Sequence, residues 1–486
     1  MSNNKSNNKN GTDSATPALP NSMGDYNSSW ITDYAWISGV AGAVMVIALA
    51  GWYNTFQTLQ KGLYVFGHQV TSQRTDSILA ALFIITFTML SIEAFRVWYR
   101  DKQNFFSLHP KIKSGQHLSF IFECVLNYVL YLCLIWVVIW FYRNAGEYGF
   151  KRNANYYQVW FRFIEWVWYG YLYAGLPYAL ITRALKYDST ADAKDYGFYF
   201  LRLLAYPVEK LVGSIGSKHA LGDLDKKITR GLLVKMFFTP LMTVFFIGQF
   251  PHLVNNMGYL FGDIWGNAGL WSAVANGDYS NTRLNNDLYN ISISFIFSID
   301  VALAWCGYVI SSRWVDNQTI SAEPTVLGWV VCLLCYPPFQ RELGVYFAPP
   351  GEKEAIYMFQ EQWLITIFLV MMVASYIIYM SATLWFGTRF SNLTHRGIIR
   401  KGPFAFVRHP AYASKNFAWW CIMFPAIIYS AFSNHIGPAI FQTIGLVLMT
   451  FMYYWRAITE ERHLSADPAY LDYCKHVKYR FIPGVI

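Results

Sequence analysis

The feature that most limits what this chain can become is a repeated one. Mostly apolar runs recur along almost its whole length, and a helix needs roughly 20 such residues to cross a bilayer core of about 30 Å. They lie at 36–53, 78–95, 118–142, 159–181, 232–251, 288–310, 326–336, 363–386, 417–432 and 439–458. The pattern predicts an all-α fold, a polytopic transmembrane helical bundle of about ten spans, because a helix satisfies its own backbone hydrogen bonds in lipid. Only 14% of the 486 residues are charged, against about 25% in soluble domains. A soluble single domain is excluded.

The basic residues set the threading. The net charge of +9 is spread in short clusters between spans, so nucleic acid is not an expected partner and membrane topology is the better reading. Arg96 to Lys113, Lys210 to Arg230 and Arg389 to Lys415 should face the cytoplasm. Ten spans place all three clusters there, put 259–287 on the other side, and leave both termini cytoplasmic. Lys151 and Arg152 depart from the pattern. Residues 1–33 are polar and rich in Asn and Ser, which predicts a disordered tail without the features of a secretory signal. Residues 34–386 form a multi-span region expected to hold a chamber, and 387–486 a C-terminal region expected to contain a helical hairpin. The stretch 198–212, FYFLRLLAYPVEKLV, reads as an interfacial amphipathic helix.

Six of the seven cysteines lie in or near apolar spans and read as small core residues; no metal site is expected. Cys332-x-x-Cys335 is followed by Tyr336-Pro337-Pro338, which breaks a span early, as helices lining a chamber do. Charges within spans are costly and need partners, so Glu93, Glu123, Arg162, Glu165, Lys235 and Asp300 stand out. Arg162 and Glu165, three apart, suit an ion pair on one helix, and so do Glu93 and Arg96. Asp300 has no basic neighbour on its own helix. Asp300, Glu165 and Arg162 are therefore the candidate substrate contacts.

The character changes near Arg400. In RKGPFAFVRHPAYASKN, Gly402 and Pro403 form a turn ahead of Arg408-His409-Pro410-x-Tyr412, and proline suits the first turn of a helix. Two apolar spans later come Arg456, Glu460 and Glu461. A helical hairpin returns the chain to the side it left, so the two groups can share one site. Arg408 and His409 suit a carboxylate, Glu460 or Glu461 an ammonium or a ribose, and Tyr412 an aromatic ring.

KGPFAFVRHPAY and then EERHLSADPAYLDYCKHVKYRFIPGVI resemble the isoprenylcysteine carboxyl methyltransferases and the related membrane phospholipid methyltransferases over roughly the last ninety residues. The resemblance implies S-adenosylmethionine as cofactor, held by Gly402, Pro403, Arg408, His409, Pro410, Tyr412, Glu460 and Glu461. It implies methyl transfer to a lipophilic acceptor, isoprenoid- or lipid-like, at the cytoplasmic face. Where the family continues from the tyrosine with Leu-Gly, this chain has Ala413-Ser414 and then Lys415-Asn416. Membrane sterol reductases that use a nicotinamide cofactor, NADPH, share the Arg-His-x-x-Tyr run and the Tyr-Cys-x-x-Val-x-Tyr-Arg ending, and are the alternative; the paired acids favour the methyltransferase. A transporter carrying the same terminal fold is a second alternative. Arg456 and Arg480 are candidates to orient an acceptor carboxylate or to anchor helix ends at the headgroups, and Glu461 is a candidate to take a proton.

Overall fold

The computed structural model describes residues 33–100, 102–149, 151–185, 203, 205–206, 222–340, 361–433 and 435–485. Numbered in chain order, its helices of eight residues or more are α1 (Trp36–Thr55), α2 (Arg74–Arg100), α3 (His117–Asn144), α4 (Lys151–Ala184), α5 (Asp223–Phe261), α6 (Asn281–Val309), α7 (Val326–Leu333), α8 (Gln362–Phe386), α9 (Pro410–Phe432), α10 (Ile436–Leu464) and α11 (Pro468–His476). The fold is an all-α helical bundle, and α1, α2, α3, α5, α6, α8 and α10 are long and apolar enough to cross a membrane. This is a multi-pass membrane protein. The expected spans at 159–181 and 417–432 fall on α4 and α9, which are not among those seven. The stretch expected to form an amphipathic helix at 198–212 lies almost wholly outside the described residues, as does the N-terminal tail.

Helices α6 and α8 run parallel. Asn285 Nδ2 donates to Gln362 O (3.0 Å) at their starts, and Tyr379 OH to Asp300 Oδ2 (2.9 Å) midway. Beyond their ends, Asn392 Nδ2 donates to Tyr308 OH (2.6 Å). A parallel pair requires the connection from Val309 to Gln362 to return the full length of the bundle. The eight residues of α7 cover only about 12 Å at 1.5 Å per residue. The expected span at 326–336 is therefore not a continuous helix, and the break after Leu333 brings Tyr336 to the wall of the cavity described below.

The core lies where α2, α4, α5 and α6 cross. Trp305 is buried there with its indole N–H on Thr243 Oγ1 (2.8 Å) and its ring against the edges of Phe83 and Phe163. An indole buried in an apolar core needs such a partner for its N–H. Gly39 lets α1 approach α8, since a Cβ there would collide with the Leu384 carbonyl.

Most in-span charges find partners. Glu93 accepts from Ser38 Oγ (2.7 Å) and Arg96 Nη2 (2.6 Å), as expected. Glu123 pairs with Lys111 and Arg183. The expected Arg162–Glu165 pair does not form: Arg162 reaches across to Asp76 on α2 (3.2 Å), and Glu165 takes Arg143 of α3 (2.8 Å). Lys235 of α5 has no acidic partner among the described residues.

Candidate functional site

The site forms where the ends of α6, α8 and α10 meet the start of α9. Pro410 opens α9 without wasting a donor, since the first helical N–H has no intrahelical acceptor. The two preceding residues are pinned by the chain's end: Arg408 N donates to Tyr479 O and His409 N to Arg480 O, both at 2.9 Å. Helices α9 and α10 form the hairpin, stapled partway along by Trp420 Nε1 on Thr450 Oγ1 (3.0 Å).

The hairpin brings the two sequence groups together. Tyr412 OH donates to Glu460 Oε2 (2.6 Å), and His409 Nε2 lies 3.2 Å from Glu461 Oε1. Glu461 also takes Arg408 Nε (3.2 Å) and Arg480 Nε (2.8 Å). Successive helical residues point in different directions, so the two acids divide their work. Glu461 is enclosed by three cationic or imidazole groups, while Glu460 lines a cavity of about 140 Å³ with Arg408, His409 and Tyr412. The His409 and Tyr412 rings stack, 5.4 Å apart and 3° from parallel.

Arg456 projects into this cavity and is only 5% exposed, so it is no headgroup anchor. Its guanidinium faces the rings of Tyr412, Tyr453 and Tyr336 at 5.0, 5.5 and 5.6 Å and donates to Asn392 Oδ1. No carboxylate among the described residues is within ion-pair distance of it. Cation–π contacts and one amide hold it instead. Arg480 is turned toward Glu461, which makes it a support for that carboxylate.

Asp300 sits behind the same wall, accepting from Thr383 Oγ1 (2.7 Å) and Tyr379 OH. Lys415, one of the departures from the family pattern, lines the cavity near it. The Lys415 ammonium lies 5.3, 5.6 and 5.9 Å from the ring centres of Tyr379, Trp419 and Phe297. The basic partner missing from the helix of Asp300 is thus supplied from α9 through the field of Lys415. Arg162 and Glu165 line no part of this cavity.

A second, apolar cavity of about 940 Å³ adjoins the first, and Tyr412 and Tyr453 belong to both walls. Gly402, Pro403 and Pro410 face this apolar cavity and not the enclosed polar one. Gly402 holds φ +63°, and a side chain there would strike the indole of Trp385.

The segment between α8 and α9 is tied down on its far side. Strand β1 (Ser321–Ala322) pairs antiparallel with β2 (Thr394–His395), and Glu323 N donates to Leu393 O (2.8 Å). His395 Nε2 meets Asp467 Oδ2 at 2.7 Å and holds that carboxyl below its ordinary value. In α11, burial pushes the phenol of Tyr473 up, and its hydroxyl donates to Phe404 O (2.7 Å). Among the described residues no three His, Cys, Asp or Glu side chains gather as a metal site.

Comparison with protein-family models, curated proteins and solved structures finds no match to this chain. The site therefore rests on its own geometry. Asn392 and Tyr336 line it and carried no motif in the sequence. Tyr336 had one signal, its place just after a broken span.

Proposed function

We propose that this protein is an integral membrane methyltransferase that uses S-adenosylmethionine and modifies a lipophilic acceptor at the cytoplasmic face. One observation carries the reading. Arg408, His409, Tyr412 and Glu460 line one cavity, and that cavity shares Tyr412 and Tyr453 with an apolar cavity large enough for a lipid tail.

The donor set fits the cofactor. Glu460 offers a carboxylate to an ammonium, Arg408 a guanidinium to a carboxylate, and the stacked His409 and Tyr412 a flat surface to an aromatic ring. The enclosed part, about 140 Å³, is smaller than the roughly 300–1,000 Å³ of common ligand pockets. A cofactor would use it for one end and extend along the Tyr412–Tyr453 wall.

When bound, the sulfonium supplies an activated methyl group. In-line transfer then asks the protein mainly for alignment and for exclusion of water. Tyr412 and Tyr453 stand at the boundary where a polar donor and an apolar acceptor would meet. Arg456, buried beside both, would orient an anionic or polar acceptor head.

A nicotinamide-dependent reductase is the second reading. Arg389, Arg396, Arg408, Lys415 and Arg456 line the cavity against the single acid Glu460, and such a lining suits phosphates. Titration calorimetry on the purified protein in detergent decides between them. Saturable binding of S-adenosylmethionine or its demethylated product supports methyl transfer. Binding of NADPH without binding of either would replace it by the reductase.

A further inference from the structure

Lys235 is the in-span charge left over from the bundle's pairing. Burial takes its ammonium away from water, and the charge beside it is another cation, Arg396, so its surroundings favour an anion. Lys235 lines a cavity of about 570 Å³ enclosed by α3, α4 and α5 and closed at one end by the segment after α6. Residues of α5 at 227, 228, 231, 232, 235, 236 and 239 face it, a continuous helical face about 18 Å long at 1.5 Å per residue.

The cavity is amphipathic. Lys227, Ser311, Gln318 and Thr319 line one end, while Leu134, Val138 and Phe163 line the wall formed by α3 and α4. Lys227, like Lys235, has no acidic partner among the described residues. The volume falls within the roughly 300–1,000 Å³ of ligand pockets. Helix α3 is a peripheral wall, with 11% of its most apolar window buried, so membrane lipid is the solvent next to this cavity.

We propose that this cavity is a lipid site separate from the one formed by α9 and α10, and that it holds a membrane lipid with one apolar chain and an anionic headgroup. The chain lies against α3 and α4, and the headgroup meets the ammonium groups of Lys227 and Lys235. An uncharged head would leave two ammonium groups unneutralised, and ionised groups away from water need an opposite charge. Charge thus selects the headgroup, and the apolar wall selects the tail. Nothing in this assignment depends on the cofactor reading.

The test is photolabelling of the full chain in phosphatidylcholine nanodiscs, with diazirine-bearing palmitate and the matching diazirine alcohol as probes and the labelled peptides mapped by mass spectrometry. Palmitate is expected to label peptides of α3 to α5 saturably, and at least tenfold more than the alcohol. Lys235→Met should cut palmitate labelling at least tenfold. Gly231→Ile should do the same by filling the space, since a Cβ there meets only Thr319 Cγ2, at 3.9 Å. The melting temperature of each variant shows whether it has folded. Equal labelling by palmitate and alcohol, no saturable label on those peptides, or unchanged labelling in both folded variants would overturn the site.

Discussion

His409 and Glu461, 52 residues apart in sequence, face each other across the α9–α10 hairpin with Nε2 3.2 Å from Oε1. The contact closes the hairpin at its open end. It also places the cation-rich Arg408–His409 corner beside the acid pair, which is what makes a shared ligand site possible.

Glu461 is hydrogen-bonded to His409 and Arg480 and ion-paired with Arg408, so Glu461→Gln leaves these groups facing a neutral amide. Charged hydrogen bonds of this kind are worth about 1.5–3 kcal/mol. The variant should melt earlier in detergent and bind cofactor at least tenfold more weakly. Arg480→Ala, which removes one partner of the three, should show the smaller loss in both measurements.

Tyr412 steadies Glu460 through a 2.6 Å hydrogen bond. Tyr412→Phe keeps the stacked ring and frees the carboxylate, whereas Glu460→Gln removes the charge. Calorimetry should show the Phe variant losing several-fold in cofactor affinity and the Gln variant losing clearly more.

Arg456 is a buried cation held by three tyrosine rings and one amide. Replacing buried charge by an apolar side chain of similar volume is often neutral or stabilising. Arg456→Met should therefore keep or raise the melting temperature while abolishing methyl transfer. Arg456→Lys, which cannot spread its charge over the rings in the same way, should not restore activity.

Asp467 has its carboxyl lowered from the ordinary 3.8 by the hydrogen bond to His395. A lowered value stabilises the fold above the ordinary value, and the contribution disappears as pH falls through the folded value. Asp467→Asn should cost about 1 kcal/mol at neutral pH, partly screened because Asp467 is partly exposed although His395 is buried. Thermal melts of the two proteins should converge as the pH is taken below the ordinary carboxylate range.

The membrane class and most helices were legible because apolar length is a local property: 36–53, 78–95 and 118–142 each sit inside one observed helix. The meeting of Arg408–Tyr412 with Glu460–Glu461 was legible for a related reason. Two spans of similar length must bring their outer ends together. Partners on different helices were not. Arg162 pairs with Asp76, 86 residues away, instead of Glu165 on its own helix, and no spacing rule carries that choice. Asn392 was hidden as well, because it lies in irregular chain and gains its role only when Tyr308, Tyr336 and Arg456 converge on it. Arg456 was placed correctly on its helix, but its burial depended on Tyr336 and Tyr412 from elsewhere in the chain as well as on Tyr453 of its own helix.

The most direct test of the cofactor site is calorimetry on the purified full-length chain and on His409→Ala, with the demethylated product of S-adenosylmethionine and NADPH as titrants. The account predicts saturable, stoichiometric binding of that thioether product, weakened at least tenfold in a folded His409→Ala, and little binding of NADPH. Tight NADPH binding with no heat from the thioether product would contradict it.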